Sequence, residues 1–510
     1  MANYTSNKGT DITWENILTY NRSMGEHNLG ITGVTTFLQY QSEFVSAEGR
    51  NQILPTQLYY GLGNAVDGIL VSSGYSKSNL ISYTARANYS FKGRYLLSAT
   101  VRTDGSSKLG VGNKWDYFPS VAAAWRISDE SFMANSSIFN ELKLRASFGI
   151  TGNDAISPYQ TQSALSRIPN SFGDNSALGF TFSERLGNPD LGWEKTKVGN
   201  IGLDFGLFDH RLSGSIDYYN TKTDDLLLDR SLPPTTGVTL VTQNIGSTKN
   251  SGIDISLNVA VIRRADMTLN AGITFFSNRE RISSLVSGTD DVANAWFIGY
   301  PVRVIFDYQK IGIWQLADSA AAALNNQKPG DIRVADVNDD KKITAADRMV
   351  VGQLVPKWNG GLNIDFRYKG FDLNAFFFAR MGQTMQYNYY TRVHLAARES
   401  GAVVNYWTPE NPSNDFPHPR STVAGVTNLT YGSTLAYTDA SFIKLRNLTV
   451  GYTIPKSTLS KIGVAGIRVY VTGKNFWTIH SKVDDYDVEA NGNLATPFTK
   501  VFMAGINVDF

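Results

Sequence analysis

Ile253-Asp254-Ile255-Ser256-Leu257-Asn258-Val259 decides the fold class. Side chains on a strand point alternately to opposite faces, so this segment forms a ribbon with one apolar and one polar side. Leu362, Ile364, Phe366 and Tyr368 alternate in the same way with Asn363, Asp365 and Arg367. The pattern recurs in Tyr83-Ala85-Ala87-Tyr89-Phe91, Tyr95-Leu97-Ala99-Val101, Leu142-Leu144-Ala146-Phe148 and Ile467-Val469-Val471. Helical periodicity is scarce, and the chain reads as all-β. The alternation predicts about fifteen strands, near 11–23, 27–44, 78–91, 94–102, 115–127, 140–152, 194–208, 211–226, 248–262, 267–282, 357–369, 371–386, 438–453, 466–478 and 498–510.

Many of these segments exceed the five or six residues usual in soluble sheets and reach the 9–11 that a tilted strand needs to cross a bilayer. Their connections alternate. Tight polar turns at Lys92-Gly93, Asp209-His210, Arg263 to Asp266 and Lys369-Gly370 are interspersed with long loops near 46–77, 153–193, 226–247, 283–356, 387–437 and 479–497. Short turns on one side and long loops on the other are the arrangement of outer-membrane barrels. Alternation alone does not separate a barrel, apolar face to lipid, from a soluble sandwich, apolar face inward. Strand length, loop asymmetry and an aromatic content of 12%, with 25 Tyr and 27 Phe, favour the barrel.

Composition removes other classes. The 510 residues carry 47 basic and 45 acidic side chains, and no basic cluster marks a nucleic-acid partner. Zero Cys excludes disulfide scaffolds, Cys-ligated zinc and thiol nucleophiles. Charged residues reach only 18%, against about 25% in soluble domains. No apolar run is long enough for a transmembrane helix, and no signal peptide is visible at Met1. His27, His210, His394, His418 and His480 are scattered without catalytic spacing, so no enzyme is expected.

The final segment places Phe502, Ala504, Ile506, Val508 and Phe510 on one face. It looks like the terminal strand read by the bacterial barrel-assembly machinery, which favours a C-terminal aromatic and apolar residues at every second position before it. Parity adds an expectation about completeness. Single-chain bacterial barrels have an even strand number and both termini in the periplasm. Fifteen strands counted back from a periplasmic end start outside the cell, which predicts the C-terminal part of a longer protein or one strand missed.

Loop and strand motifs carry a resemblance. Arg102-Thr103-Asp104-Gly105-Ser106-Ser107, Gly152-Asn153-Asp154, and Asn188-Pro189-Asp190-Leu191-Gly192-Trp193-Glu194-Lys195-Thr196 come first. Asp217-Tyr218-Tyr219-Asn220, Asn244-Ile245-Gly246-Ser247, Asn250-Ser251-Gly252-Ile253-Asp254, Ser441-Phe442-Ile443-Lys444-Leu445-Arg446-Asn447-Leu448 and Val450-Gly451-Tyr452-Thr453-Ile454-Pro455 follow. In this order and spacing the chain resembles the C-terminal barrel of TonB-dependent transporters of the SusC/RagA type, outer-membrane nutrient importers of Bacteroidetes. The resemblance implies a 22-stranded antiparallel transmembrane barrel of which about 15 strands lie here, with the plug, roughly seven strands and the TonB-contacting segment absent from this sequence. It also implies a SusD-like lipoprotein lid and import driven through TonB. A passive porin of the same architecture and a secreted soluble β-sandwich that binds glycans are the competing expectations.

Two constellations invite chemistry. Asp336-Val337-Asn338-Asp339-Asp340-Lys341-Lys342-Ile343-Thr344-Ala345-Ala346-Asp347 reads as a twelve-residue calcium loop with Asp336, Asn338, Asp340, Lys342 (by its carbonyl), Thr344 and Asp347 at ligand positions. Lys341 replaces the turn-making Gly, and Asp347 replaces the bidentate Glu. The competing reading is an Asx-rich turn whose carboxylates take backbone N–H groups; under either, the segment braces its loop. Trp296, Tyr300, Trp314 and Trp407, among loop aromatics that include Tyr389 and Tyr390, suit stacking on a solute or a lid protein, or packing of loops on one another.

Overall fold

The computed structural model describes residues 2–172, 175–388, 403–419, 429–459, 464–483, 486–493 and 498–509. Phe510, Tyr389, Tyr390 and His394 lie outside the described residues. Among the described residues the main sheet has 15 strands, each beside its neighbour in the chain. They are β1 (Ala2–Met24), β2 (His27–Gly49), β3 (Ile69–Phe91), β4 (Tyr95–Ser106), β5 (Trp115–Arg126), β6 (Phe139–Asn153), β7 (Glu194–Leu207) and β8 (Leu212–Asp224). The series continues with β9 (Ser247–Arg263), β10 (Met267–Ser284), β11 (Trp358–Tyr368), β12 (Phe371–Met381), β13 (Phe442–Thr453), β14 (Gly466–Ser481) and β15 (Val501–Asp509). The all-β, antiparallel expectation holds, and every strand read from alternation exists.

Two compact units divide the chain. The first is Met1–Ala134, Lys143–Ile201 and Asn220–Lys249; the second is Asn135–Leu142, Gly202–Tyr219 and Asn250–Phe510. In the first, Ile31, Ala87, Ala99, Val121 and Phe148 stand in one row across β2 to β6. The adjacent row on the opposite face is Thr32, Arg86, Thr100, Ser120 and Gly149. In the second, Tyr368, Phe371, Tyr452, Val469 and Ile506 form an apolar row across β11 to β15. Asp365, Asn374, Thr449 and Thr472 form a polar row across β11 to β14.

The apolar rows are exposed: Val121 is 47% accessible, Phe148 49%, Phe371 55% and Ile506 66%. Buried apolar residues sit instead mainly in the loops and at strand ends, as Leu109, Leu191, Trp193, Ile313, Ile332, Trp407 and Phe442 do. A soluble sandwich places its apolar strand rows in contact with one another, and here much of their surface stands open. Aromatics bracket the band. Tyr95 stacks on Trp125 at 6.4 Å near the short turns, and Tyr83 on Trp115 at 6.2 Å near the long loops. On β5, Trp125 and Tyr117 share a face eight residues apart, about 26 Å along the strand, which at the ~40° tilt of barrel strands rises ~20 Å and fits within the ~25 Å apolar band.

The first three strands run beyond their sequence-based limits. Alternation predicts 11–23, 27–44 and 78–91, whereas the strands reach Ala2, Gly49 and Ile69. The added residues place Ser6 and Lys8, the latter opposite Glu43, on the face that is apolar further down, so the pattern loses its period once both faces meet water. The long loops also hold small sheets: Val304–Asp307 pairs with Met349–Gln353, Lys310–Ile313 with Ile332–Val334, and Thr384–Gln386 with Tyr437–Asp439.

Candidate functional site

The long loops gather into assemblies rooted on the strand ends. In the first unit the quoted motifs converge. The Arg102 guanidinium holds Asp104 at 2.7 Å and donates to Ser82 Oγ at 3.1 Å. Ser106 Oγ donates to Asp154 Oδ2 at 2.6 Å, and the Lys108 ammonium pairs with the same carboxylate at 3.6 Å. Leu109, Phe118, Ile156, Leu191 and Trp193 pack into one buried cluster, with Trp193 edge-on to Phe118 at 5.3 Å. The Trp193 indole N–H donates to the Lys114 carbonyl at 3.0 Å. Gly110 lies so close to this loop that a Cβ would come within 2.0 Å of the Pro189 carbonyl oxygen, and its N–H donates to Leu191 O at 2.8 Å. Nearby, the Arg185 guanidinium pairs with Asp229 and holds that carboxyl below the usual range.

The second unit has two such cores. Met385, Tyr387, Ala440, Phe442, Val483 and Val488 form one. Beside it, Lys444 is 1% exposed, its ammonium 2.7 Å from Asp487 Oδ2 and 3.4 Å from Glu489 Oε2. Arg446 pairs with Glu489 and lies 4.0 Å over the Phe378 ring. A buried ammonium is tolerable only with such partners. Although the Ser441 to Leu448 motif is visible in the sequence, its acidic partners 43 and 45 residues beyond Lys444 carry no signal there.

The other core joins Ile313, Ile332, Val334, Trp407 and Leu435. The Trp407 indole N–H donates to Gln315 Oε1 at 2.8 Å, and Lys310 Nζ donates to the carbonyls of Asn414 and Asp415 at 2.9 and 2.7 Å. Burial pushes the Lys310 ammonium below its ordinary pKa, against the opposing pull of Asp415. Asp307 accepts from Ser433 Oγ and Tyr437 OH, and burial together with this carboxylate pushes the Tyr437 phenol up.

The aromatic candidates therefore separate. Trp407 (4% exposed) and Trp314 (7%), the latter under the Arg333 guanidinium at 4.7 Å, pack inside their loops. Trp296 and Tyr300 lie in another turn, where Trp296 exchanges backbone hydrogen bonds with Asp291 and Tyr300 is 48% exposed. Of the four, Tyr300 is the most open to solvent.

In the Asp336–Asp347 segment the oxygens face backbone N–H groups. Asp336 accepts from Lys341 N at 2.8 Å, Asn338 from Asp340 N at 3.1 Å, and Asp340 from Lys342 N at 2.8 Å. Asp347, fully buried, accepts from Thr344 N at 2.7 Å and Val337 N at 2.9 Å, and Thr344 caps the turn in return. These donors hold the Asp347 carboxyl below the ordinary range. Among the described residues no three carboxylate or imidazole groups converge as a metal site would require.

The polar strand face is a network of its own. Asn374 Nδ2 donates to Asp365 Oδ1 at 2.8 Å and Asn363 Oδ1 at 3.1 Å, and Asn447 Nδ2 donates to Asn374 Oδ1 at 3.2 Å. Thr449 and Thr472 share a bond of 2.8 Å, and Arg468 Nε donates to Asp372 at 2.9 Å. On the terminal strand Phe502 (70% exposed), Ala504, Ile506 and Val508 share the face of the apolar rows.

Comparison with known proteins fits this anatomy. Residues 2–476 match the family described as TonB dependent receptor-like, beta-barrel. The chain is 33% identical to TonB-dependent receptor P3 of Formosa agariphila over its whole length and 53% of that protein. It is 31% identical to TonB-dependent receptor SusC of Bacteroides thetaiotaomicron over 85% of the chain and 44% of that protein. The solved structure of the RagAB peptide transporter superposes with a TM-score of 0.81 at 26% identity, covering all of this chain and 56% of that one. The chain thus spans about half the length of the relatives it matches. It belongs to the TonB-dependent receptor-like β-barrel family of the outer membrane, a family of transporters rather than enzymes.

Proposed function

We propose that this chain is the C-terminal barrel portion of a TonB-dependent importer of oligomeric nutrients, glycan or peptide, that works with a SusD-like surface lipoprotein. The observation that carries the reading is the sorting of faces in a member of this family: exposed apolar rows such as Val121 and Phe148, and a hydrogen-bonded polar face such as Asp365, Asn374 and Thr449. Apolar rows toward lipid and polar rows toward a wet interior satisfy the backbone in the bilayer and leave a path for a polar solute.

The likeness to SusC and to the RagAB peptide transporter supports both the solute class and the lipoprotein partner. Energy would enter through TonB acting on an N-terminal part outside this sequence. Exposed apolar side chains on the terminal strand support recognition of Phe502, Ala504, Ile506, Val508 and Phe510 by the barrel-assembly machinery. The Asp336–Asp347 segment is read as a brace built on carboxylate-to-amide bonds, with calcium as the competing occupant.

The test is uptake of labelled oligosaccharides and oligopeptides by cells with and without the full-length protein. Import lost on collapse of the proton gradient supports the proposal. Import that persists would make the protein a passive porin.

A further inference from the structure

We propose that a row of three lysines across β7, β8 and β9 binds the phosphorylated headgroup of an outer-leaflet lipid. The inference rests on the reading of the apolar rows as lipid-facing.

Register sets the lysines side by side. The Thr196 and Thr223 hydroxyls meet at 2.9 Å between β7 and β8, and a Cβ on Gly199 would lie 4.0 Å from the Asn220 carbonyl oxygen. Antiparallel pairing then puts Lys197 opposite Lys222. Just past the loop ends of β8 and β9, the Ile245 N–H donates to the Leu226 carbonyl at 2.7 Å. Counting back along both strands puts Lys222 opposite Lys249. Thr223 and Thr248, the neighbouring pair, are buried on one face, so the lysines take the other.

That other face is apolar further down. Ile201 on β7, Ile216 and Tyr218 on β8, and Ile253 on β9 share it and are exposed. Toward the loops they give way to Gly199, Asn220 and Ser251, and then to Lys197, Lys222 and Lys249. Lys222 stands ten residues beyond Leu212, the short-turn end of β8. That is about 33 Å along the strand, which at the ~40° tilt of barrel strands rises ~25 Å, the height of the apolar band. In the second unit β10 makes the same change by itself: Phe275 is followed on its face by Ser277, Arg279 and Arg281.

Like charges directly opposite one another on a sheet repel. Asp224 pairs with Lys222 at 2.6 Å and with Lys197 at 3.3 Å, whereas Lys249 has no ion pair among the described residues. Lys195 is satisfied separately by Asp116 at 2.6 Å. Three ammonium groups against one carboxylate leave two positive charges, which a phosphate of about two negative charges would balance. The position selects a lipid as the carrier of that phosphate. At the rim of the apolar band, a headgroup is brought to the lysines by its own acyl chains.

The full-length protein in phosphatidylcholine vesicles containing lipid A would be extracted in mild detergent, and the lipid A retained per protomer measured by mass spectrometry. Retention is expected for the bisphosphorylated lipid and not for its dephosphorylated form. Lys222→Gln combined with Lys249→Gln is expected to lower retention about 25-fold, roughly fivefold per basic side chain, with heat-modifiable barrel mobility unchanged. Lys222→Arg combined with Lys249→Arg is expected to keep it. Equal retention of the dephosphorylated lipid, or normal retention by the double Gln variant, overturns the proposal. So does inorganic phosphate bound as tightly as the lipid, or a co-purifying acidic protein that covers the lysines. The chain has no cysteine, so Val121→Cys separates this failure from that of the membrane reading. Labelling of that thiol by an impermeant maleimide in intact membranes would sink the lipid-facing assignment itself.

Discussion

Asn244 clasps Gly192 from both sides: the Gly192 N–H donates to Asn244 Oδ1 at 2.8 Å, and Asn244 Nδ2 donates to the Gly192 carbonyl at 2.9 Å. Two motifs far apart in the sequence are thereby one structural unit. Asn244→Asp keeps the acceptor and sets a carboxylate against the Gly192 carbonyl. A loss of about 1–3 kcal/mol is expected, as for a partly buried polar group left without its donor. It would be read as a lower temperature for loss of the compact band on unboiled gels, with Asn244→Ala falling at least as far.

Lys444 supplies the sharpest stability test. Removing one member of a buried ion pair strands the other, at a cost of about 3–5 kcal/mol. Asp487→Asn together with Glu489→Gln should therefore expose the loop at 482–493 to protease. Lys444→Met in that background should recover the part of the loss due to the buried ammonium, while Arg446, which also loses Glu489, keeps its share. A triple variant no better than the double would contradict this account.

Val121 and Ser120 are neighbours in sequence on opposite faces of β5. Val121 stands midway between Tyr117 and Trp125, so Val121→Arg should cost about 2–4 kcal/mol and reduce folded barrel in the membrane. Ser120→Arg is expected to assemble nearly as the parent does. Equal effects would argue against a lipid face.

Asp347 gives a pH dependence with a defined sign. Its folded carboxyl lies below the unfolded value of about 3.9, so its contribution is complete above about pH 4 and is lost as pH falls through the lower folded value. Protease protection of the 285–357 loop should fall in that acid range, and Asp347→Asn should flatten the dependence. Chelator added at neutral pH is expected to leave the protection unchanged if the amide network alone braces the segment; a loss restored by calcium would favour bound ion.

The period of two was enough to find the strands, because a sheet wet on one side and greasy on the other must alternate wherever both environments are present. That same logic explains where it stopped. At Ser6, Lys8 and Ser73 both faces meet water, the alternation disappears, and strand continues unseen. The loop motifs around Asp104, Asp154, Leu191 and Trp193 were legible as motifs, and only the fold shows that they are one knot. Likewise, Trp314 and Trp407 have the same composition signal as an exposed platform, and burial decides that they are loop core.

By itself, then, the sequence determined an all-β chain, the order of its strands, the sorting of short turns from long loops, and the family. Local alternation and turn chemistry are properties of neighbouring residues. Tertiary structure alone decided that Asn244 meets Gly192 and that Lys444 meets Asp487 and Glu489. It also decided that Asp347 spends its oxygens on amides, and that Tyr4, Tyr59 and Tyr60 gather into one cluster. Those contacts join positions separated by many residues, and their geometry is fixed by strand register and loop packing rather than by any local pattern.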